Sequence, residues 1–205
     1  MNLNFQNTNR PNRILHEEMD ASDKISQEII RLLPSGKFRP IVIVCIGTDR
    51  STGDSLGPLV GTLLKEKDPI PSFFVYGTLD DPIHAVNLEE KLAQIKTMHG
   101  DPFIVGVDAC LGKLKSVGVV QIGDGPVKPG AGVNKELPDV GDAHITGIVN
   151  VCGFMEFMVL QNTRLSLVMK MAKTISEGIY HAGLQLKPKP NISPFKWTFE
   201  KEKTL

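Results

Sequence analysis

The sequence predicts an α/β fold: a three-layer αβα sandwich on a mostly parallel central sheet. Three observations lead there. Ile41-Val42-Ile43-Val44-Cys45-Ile46 is a continuous apolar run without alternation, the pattern of a strand covered on both faces. Phe103 to Asp108 repeats it. Segments with helical periodicity lie between such runs, and right-handed crossovers turn that rhythm into an open layered sheet. A chain of 205 residues suits one domain, at roughly 100–200 residues each.

The expected organisation is a flexible N-terminal arm over residues 1–18, a single domain over 19–186 and a C-terminal tail over 187–205. A helix is expected from Ala21 to Leu33, with Ile25, Ile29, Leu32 and Leu33 on one face and Pro34-Ser35-Gly36 ending it. After the first strand, a helix fits Ser55 to Lys67, with Pro58 tolerated in its first turn. Ser72 to Tyr76 reads as a short strand. Asn87-x-x-Glu90 resembles a capping box for a helix ending near His99-Gly100. Strands are expected at Phe103–Asp108, Val117–Ile122 and Ile145–Val151. Gly123 to Asp142 is a Gly- and Pro-rich loop, longer than the ~12–15 residues usual for a structureless connection and therefore suggestive of function. Phe154 to Leu184 reads as helix broken near Asn162-Thr163, with Met155, Met158, Val159, Val168, Met169, Ala172 and Ile175 as its core face.

Lys+Arg 23 against Asp+Glu 23 gives zero net charge. That removes the bulk attraction of a nucleic-acid or anionic-membrane partner, so neither is expected. The three cysteines, Cys45, Cys110 and Cys152, form no Cys-x-x-Cys pair and read as small buried thiols in a reducing compartment. The first residues lack the apolar core of a secretory signal, and no stretch approaches the ~18–20 apolar residues of a membrane span. A cytoplasmic protein is the expectation.

Ligands of open α/β sheets collect at the carboxyl ends of strands. Asp108 ends one apolar run, and Asp54 sits in the loop after another, just before a helix. Parallel neighbouring strands would bring both carboxyls to one sheet edge. Asp54 could instead cap the helix, and Asp108 could be satisfied by loop amides. Gly47, Gly53 and Gly57 before a helix N-terminus invite a phosphate reading, but the Gly-Lys-Ser/Thr ending and the dinucleotide spacing are absent. Ser51 and Ser55 lie outside a Gly-x-Ser-x-Gly elbow. Cys110 could meet His144 in space but reads better as a buried thiol. Asp54, Asp108 and His144 together form an alternative site for a divalent transition metal; otherwise no cofactor is expected. His84 reads as a rim residue, and His16, His99 and His181 as surface positions.

The run Cys45-Ile46-Gly47-Thr48-Asp49-Arg50-Ser51-Thr52-Gly53-Asp54-Ser55-Leu56-Gly57-Pro58 is distinctive. With Val107-Asp108-Ala109-Cys110-Leu111-Gly112 and Val127-Lys128-Pro129-Gly130-Ala131-Gly132-Val133, it resembles the sporulation protein YyaC family over roughly residues 20–186. That family is grouped with peptidases related to the spore germination protease and to hydrogenase maturation peptidases. The resemblance implies a phosphorylase/hydrolase-like sandwich and an atypical aspartic-type peptidase with Asp54 and Asp108 as catalytic pair. It also implies a protein or peptide substrate, such as a spore protein, and a place in the sporulating cell or spore interior. Gly47, Thr48, Gly53, Asp80, His84 and His144 are the expected substrate-binding residues. A non-catalytic sporulation factor, with the same cleft as a peptide-binding surface, is the alternative.

Overall fold

Apolar strands without alternation need cover on both faces, and this chain supplies that cover unequally. The computed structural model describes residues 11–35, 39–67, 72–130 and 137–186. Six strands form one sheet: β1 (Asn12–Leu15), β2 (Ile41–Cys45), β3 (Phe73–Tyr76), β4 (Phe103–Gly112), β5 (Val119–Asp124) and β6 (Ala143–Val151). Their order is β1-β5-β6-β4-β2-β3. β3, β2, β4 and β6 run parallel, β5 returns antiparallel beside β6, and β1 lies antiparallel to β5. The sheet is therefore mixed but mostly parallel, with helices on both sides, as the alternating pattern predicts.

The helices are α1 (Ala21–Leu32), α2 (Leu56–Glu66), α3 (Leu88–His99), α4 (Glu156–Gln161) and α5 (Leu165–Gln185). Period-two alternation divides the strands between two cores. Ile41, Ile43 and Cys45 of β2 face one side, with Val105 and Val107 of β4, and meet Ile25 and Ile29 of α1, Val60 and Leu64 of α2, and Met171 and Ile175 of α5. Val42 and Val44 face the other side with Ile104, against Leu88, Leu92 and Ile95 of α3. Val127 and Val140 extend this second core. They exchange both backbone hydrogen bonds at 2.9 Å and pack on Gly106, where a Cβ would lie 2.6 Å from the Val127 side chain. The long loop thus folds back onto the sheet; its residues 131–136 lie outside the described residues.

Several expectations are corrected. Of the three cysteines only Cys45 is fully buried; Cys110 is half-buried and Cys152 is exposed beyond the end of β6. The N-terminal arm is not free throughout, because residues 12–15 form β1 and cover the edge of β5, with Ile14 buried. An uncovered β5 would expose a ladder of unpaired backbone groups. Residues 1–10 of the arm, and the tail from Lys187, lie outside the described residues. His16 is buried, with its Nδ1 2.8 Å from Gly118 O, whereas His99 packs beside Phe74 and Tyr76 and His181 beside Asp23. No capping box forms at Asn87, whose Oδ1 accepts from His84 N and whose Nδ2 donates to Pro82 O. The expected helix break is present: Arg164 is the α5 N-cap, and the Thr163 hydroxyl donates to Val159 O. Of the expected core face, Met155, the α4 N-cap, and Met158 are exposed, Val159 and Met169 are half-buried, and Val168, Ala172 and Ile175 are core.

Helix α2 approaches the sheet through glycines. A Cβ on Gly57 would lie 2.1 Å from Ile46 O, and one on Gly61 1.9 Å from Gly77 O. Gly57→Ala should therefore lower unfolding stability by about 2–3 kcal/mol, through overpacking against backbone. Gly100→Ala, at φ 73 and ψ −101 with no atom within 4 Å of the added methyl, should cost about 1–3 kcal/mol through backbone strain alone. Denaturant midpoints of the two variants check both values.

Candidate active site

The loop after β2 folds around its own end. Ile46 N donates to Val107 O at 2.7 Å and Gly47 N to Ile83 O at 2.8 Å, which ties the strand end to β4 and to the segment before α3. Thr48 N then donates to Asp54 O at 3.1 Å. Gly47 permits that closure: its φ is 145°, and a Cβ there would lie 1.9 Å from Asp54 O. At the far side, Gly53 N donates to Leu160 O at 2.9 Å and clamps the loop to α4. Ser55 holds the N-cap position of α2, so Asp54 is not the cap.

Asp108 lies within β4, because the strand runs on to Gly112 and does not end at Asp108 as expected. β2 stops at Cys45, opposite Val107, so Asp108 still stands beside a strand end. Its row across the sheet is Asp108–Thr146–Gln121–Arg13, and the preceding row is Gly106–His144–Gly123. This stretch of the second face is open, since α3 packs against β2 and the start of β4. The opening is a cleft of about 790 Å³ that both aspartates line.

Asp108 is only 9% exposed. Burial pushes its carboxyl up to about 8, the hydrogen bond from Ala109 N at 2.8 Å opposes the rise, and the charge of Asp54 adds to it. Burial also raises Asp54, and the nearby Ser51 hydroxyl opposes that rise, although Ser51 Oγ completes no hydrogen bond. The two carboxyls therefore sense one another from different surroundings. Cys110 is raised by burial to about 11 and holds a neutral thiol; the groups acting on it are Thr146, Asp108 and Arg13, not an imidazole.

Of the expected substrate-binding residues, Gly47, Thr48, His84 and His144 line the cleft. Gly53 instead faces α4, where a Cβ would lie 2.7 Å from the Leu160 side chain, and Asp80 is an exposed residue outside the lining. His144 Nδ1 is 3.0 Å from Gly125 O, which leaves Nε2 as the other polar atom of the ring. Asp54, Asp108 and His144 share the cleft, but among the described residues no three His, Cys, Asp or Glu side chains are gathered closely enough to hold a metal ion. Sequence reasoning missed Thr146 and Gln121, which join the site only through strand register, and the apolar wall formed by Phe157. Strict alternation along β6 from His144 would have pointed to Thr146.

The fold is an α/β fold similar to that of a solved maturation protease. The structure is similar to the crystal structure of the [NiFe] hydrogenase maturation protease HycI from Thermococcus kodakarensis KOD1, with a TM-score of 0.51 and 22% identity over 77% of this chain and 98% of that one. At that identity the likeness shows the fold. The chain belongs to the family described as "Protein of unknown function (DUF1256)", whose model matches residues 13–178. It is also 58% identical over 166 residues to "Uncharacterized protein YyaC" of Bacillus subtilis (strain 168), covering 81% of this chain and 80% of that protein. The resemblance read from the three sequence motifs is thereby shown. Among the described residues, no helix is long and apolar enough to cross a membrane.

The raised carboxyls give stability a sign with pH. Both bind a proton more tightly folded than unfolded, so their contribution is complete below the unfolded carboxylate range. It is lost as pH rises through the folded values, which for Asp108 extends to about 8. Thermal midpoints should therefore fall between pH 4 and pH 8, and Asp108→Asn should flatten that slope. A slope unchanged in Asp108→Asn would show that the carboxyl is not held protonated.

Proposed function

We propose that this protein is a sporulation-associated peptidase in which Asp54 and Asp108 hydrolyse a peptide bond held in the cleft. One observation carries the reading: two carboxyl groups line the same cleft from different elements, with unequal proton affinity. Asp108, in the strand, keeps its proton at neutral pH and is the acid. Asp54, on the loop beside a hydroxyl, is the base. The ionised Asp54 takes a proton from an attacking water, while Asp108 hydrogen-bonds the scissile carbonyl and then protonates the leaving amine. Fold likeness to a maturation protease supports the peptidase class. The motif resemblance to relatives of the germination protease supports a spore protein as substrate and the sporulating cell or spore interior as its place. The apolar wall at Phe157 suits a peptide backbone lying along the cleft.

No metal is part of this proposal. A metal-dependent variant would need Asp54, Asp108 and His144 to act as one ligand set, and His144 stands one row away from Asp108.

Purified protein incubated with peptides from sporulating-cell extract should produce new termini, read by mass spectrometry. Asp54→Asn and Asp108→Asn should each lower turnover by about 10²–10⁴-fold, the usual worth of a general acid or base, with circular dichroism unchanged. Chelation and His144→Ala should leave most of the turnover. Peptide binding with no turnover would favour the non-catalytic binding module. Equal collapse in His144→Ala and under chelation would favour a metal centre.

A further inference from the structure

Ser51 stands apart among the polar residues of the cleft. It is 5% exposed and lines the cleft, yet its Oγ has no hydrogen-bond partner. Buried hydroxyls ordinarily find one. The neighbouring hydroxyls are engaged: Ser55 Oγ donates to Thr52 O at 2.7 Å, and Thr48 Oγ1 accepts from Arg50 N at 3.3 Å. The backbone of Ser51 is fixed, since its carbonyl accepts from Ser55 N at 3.0 Å in the turn that enters α2. Its side chain thus lines the same cleft as Asp54, three residues on in the same loop, with one donor unassigned.

We infer that Ser51 is a positioning residue, whose hydroxyl donates to the Asp54 carboxylate once that group is charged and so makes Asp54 the base of the pair. The inference rests on the peptidase reading for its purpose, but not for its test. A hydroxyl donor favours the charged form of a carboxylate and offers the neutral acid much less. Asp108 has a different donor, the Ala109 amide, which lies on the strand itself. The direction of the Asp54 shift agrees, because Ser51 opposes the rise that burial imposes. Other charged or titratable groups face the same cleft: Asp108 and Cys110 from β4, His144 from β6, His84 from the segment before α3, Asp49 and Arg50 from the loop, and Lys128 after β5. Among the described residues, none of them hydrogen-bonds Asp54 in the way the Ser51 hydroxyl is placed to do.

The test is a carboxyl ¹³C NMR titration of aspartate-labelled full-length protein, with the Asp54 signal assigned by its loss in Asp54→Asn. Ser51→Ala should raise the Asp54 midpoint by about one pH unit, and Ser51→Thr, which retains the hydroxyl, should restore it. Should Ser51→Ala fail to fold, Ser51→Gly removes the hydroxyl without bulk and carries the same expectation. An unmoved midpoint, or equal displacement in Ser51→Ala and Ser51→Thr, would overturn the inference. The titration needs no substrate, so absence of peptidase turnover would leave its outcome intact. Where turnover is measured, the acidic limb of its pH profile should move with the Asp54 midpoint.

Discussion

The contact on which the site depends is the bare approach of α2 to the ends of β2 and β3. Gly57 and Gly61 leave no side chain between the helix backbone and the carbonyls of Ile46 and Gly77, and Gly77 lets the strand end turn beneath it. With the helix that close, the chain between Ile46 and Leu56 has nowhere to go but around its own strand end. Gly47 closes that circuit on Asp54 O. The position of the Asp54 carboxyl follows from backbone packing several residues away. Loop flexibility plays no part in it, which is how a loop residue can hold the placement that acid–base chemistry needs.

The cleft follows from an asymmetry of cover. One face of the sheet is closed by α1, α2 and α5, whereas α3 and the returning Val127/Val140 pair close only part of the other. An open patch on a mostly parallel sheet would be a liability if it were apolar. Here the uncovered positions are Asp108, Thr146, Gln121 and Arg13, a polar row spanning four strands. The row changes character within β4 itself: Ile104 and Gly106 lie under the second core, and Asp108 two residues on lies in the cleft.

The layered fold was legible because the strands it depends on are buried on both faces, and such strands announce themselves as unbroken apolar runs. Ile41–Cys45 is the clearest of them. β1 was not legible, since an edge strand needs only Ile14 inside and its pairing is decided by β5, more than a hundred residues away. The same distinction holds at the site. Asp54 and Asp108 could be read because each follows an apolar run at a strand end. Thr146 and Gln121 could not, because strand register, not local pattern, sets them beside Asp108. Gly53 and Asp80 were misplaced for a related reason: proximity in sequence to a cleft residue says nothing about the face, and Gly53 turns to α4. The exposed Met155 and Met158 show the limit of helical periodicity, which continues through a break that the backbone does not.

Burial of Asp108 is difficult to explain by stability alone. A carboxyl that is 9% exposed, with one amide donor and another carboxyl in the same cleft, is unfavourable when charged and can be kept only by retaining its proton. An alanine or valine at that strand position would remove the penalty and continue the apolar pattern that Ile104 begins on the same face of β4. Local departures from what folding alone would choose concentrate where function is exercised. Asp54 departs in a milder way: it stands next to a helix start without capping it, and Ser55 takes the N-cap position. Two such departures, brought to one cleft by independent elements, argue more strongly for shared chemistry than either carboxyl does singly. Because one is set in a strand and the other on a glycine-closed loop, their surroundings can differ while their charges interact. That difference lets a pair of identical side chains divide an acid's task from a base's.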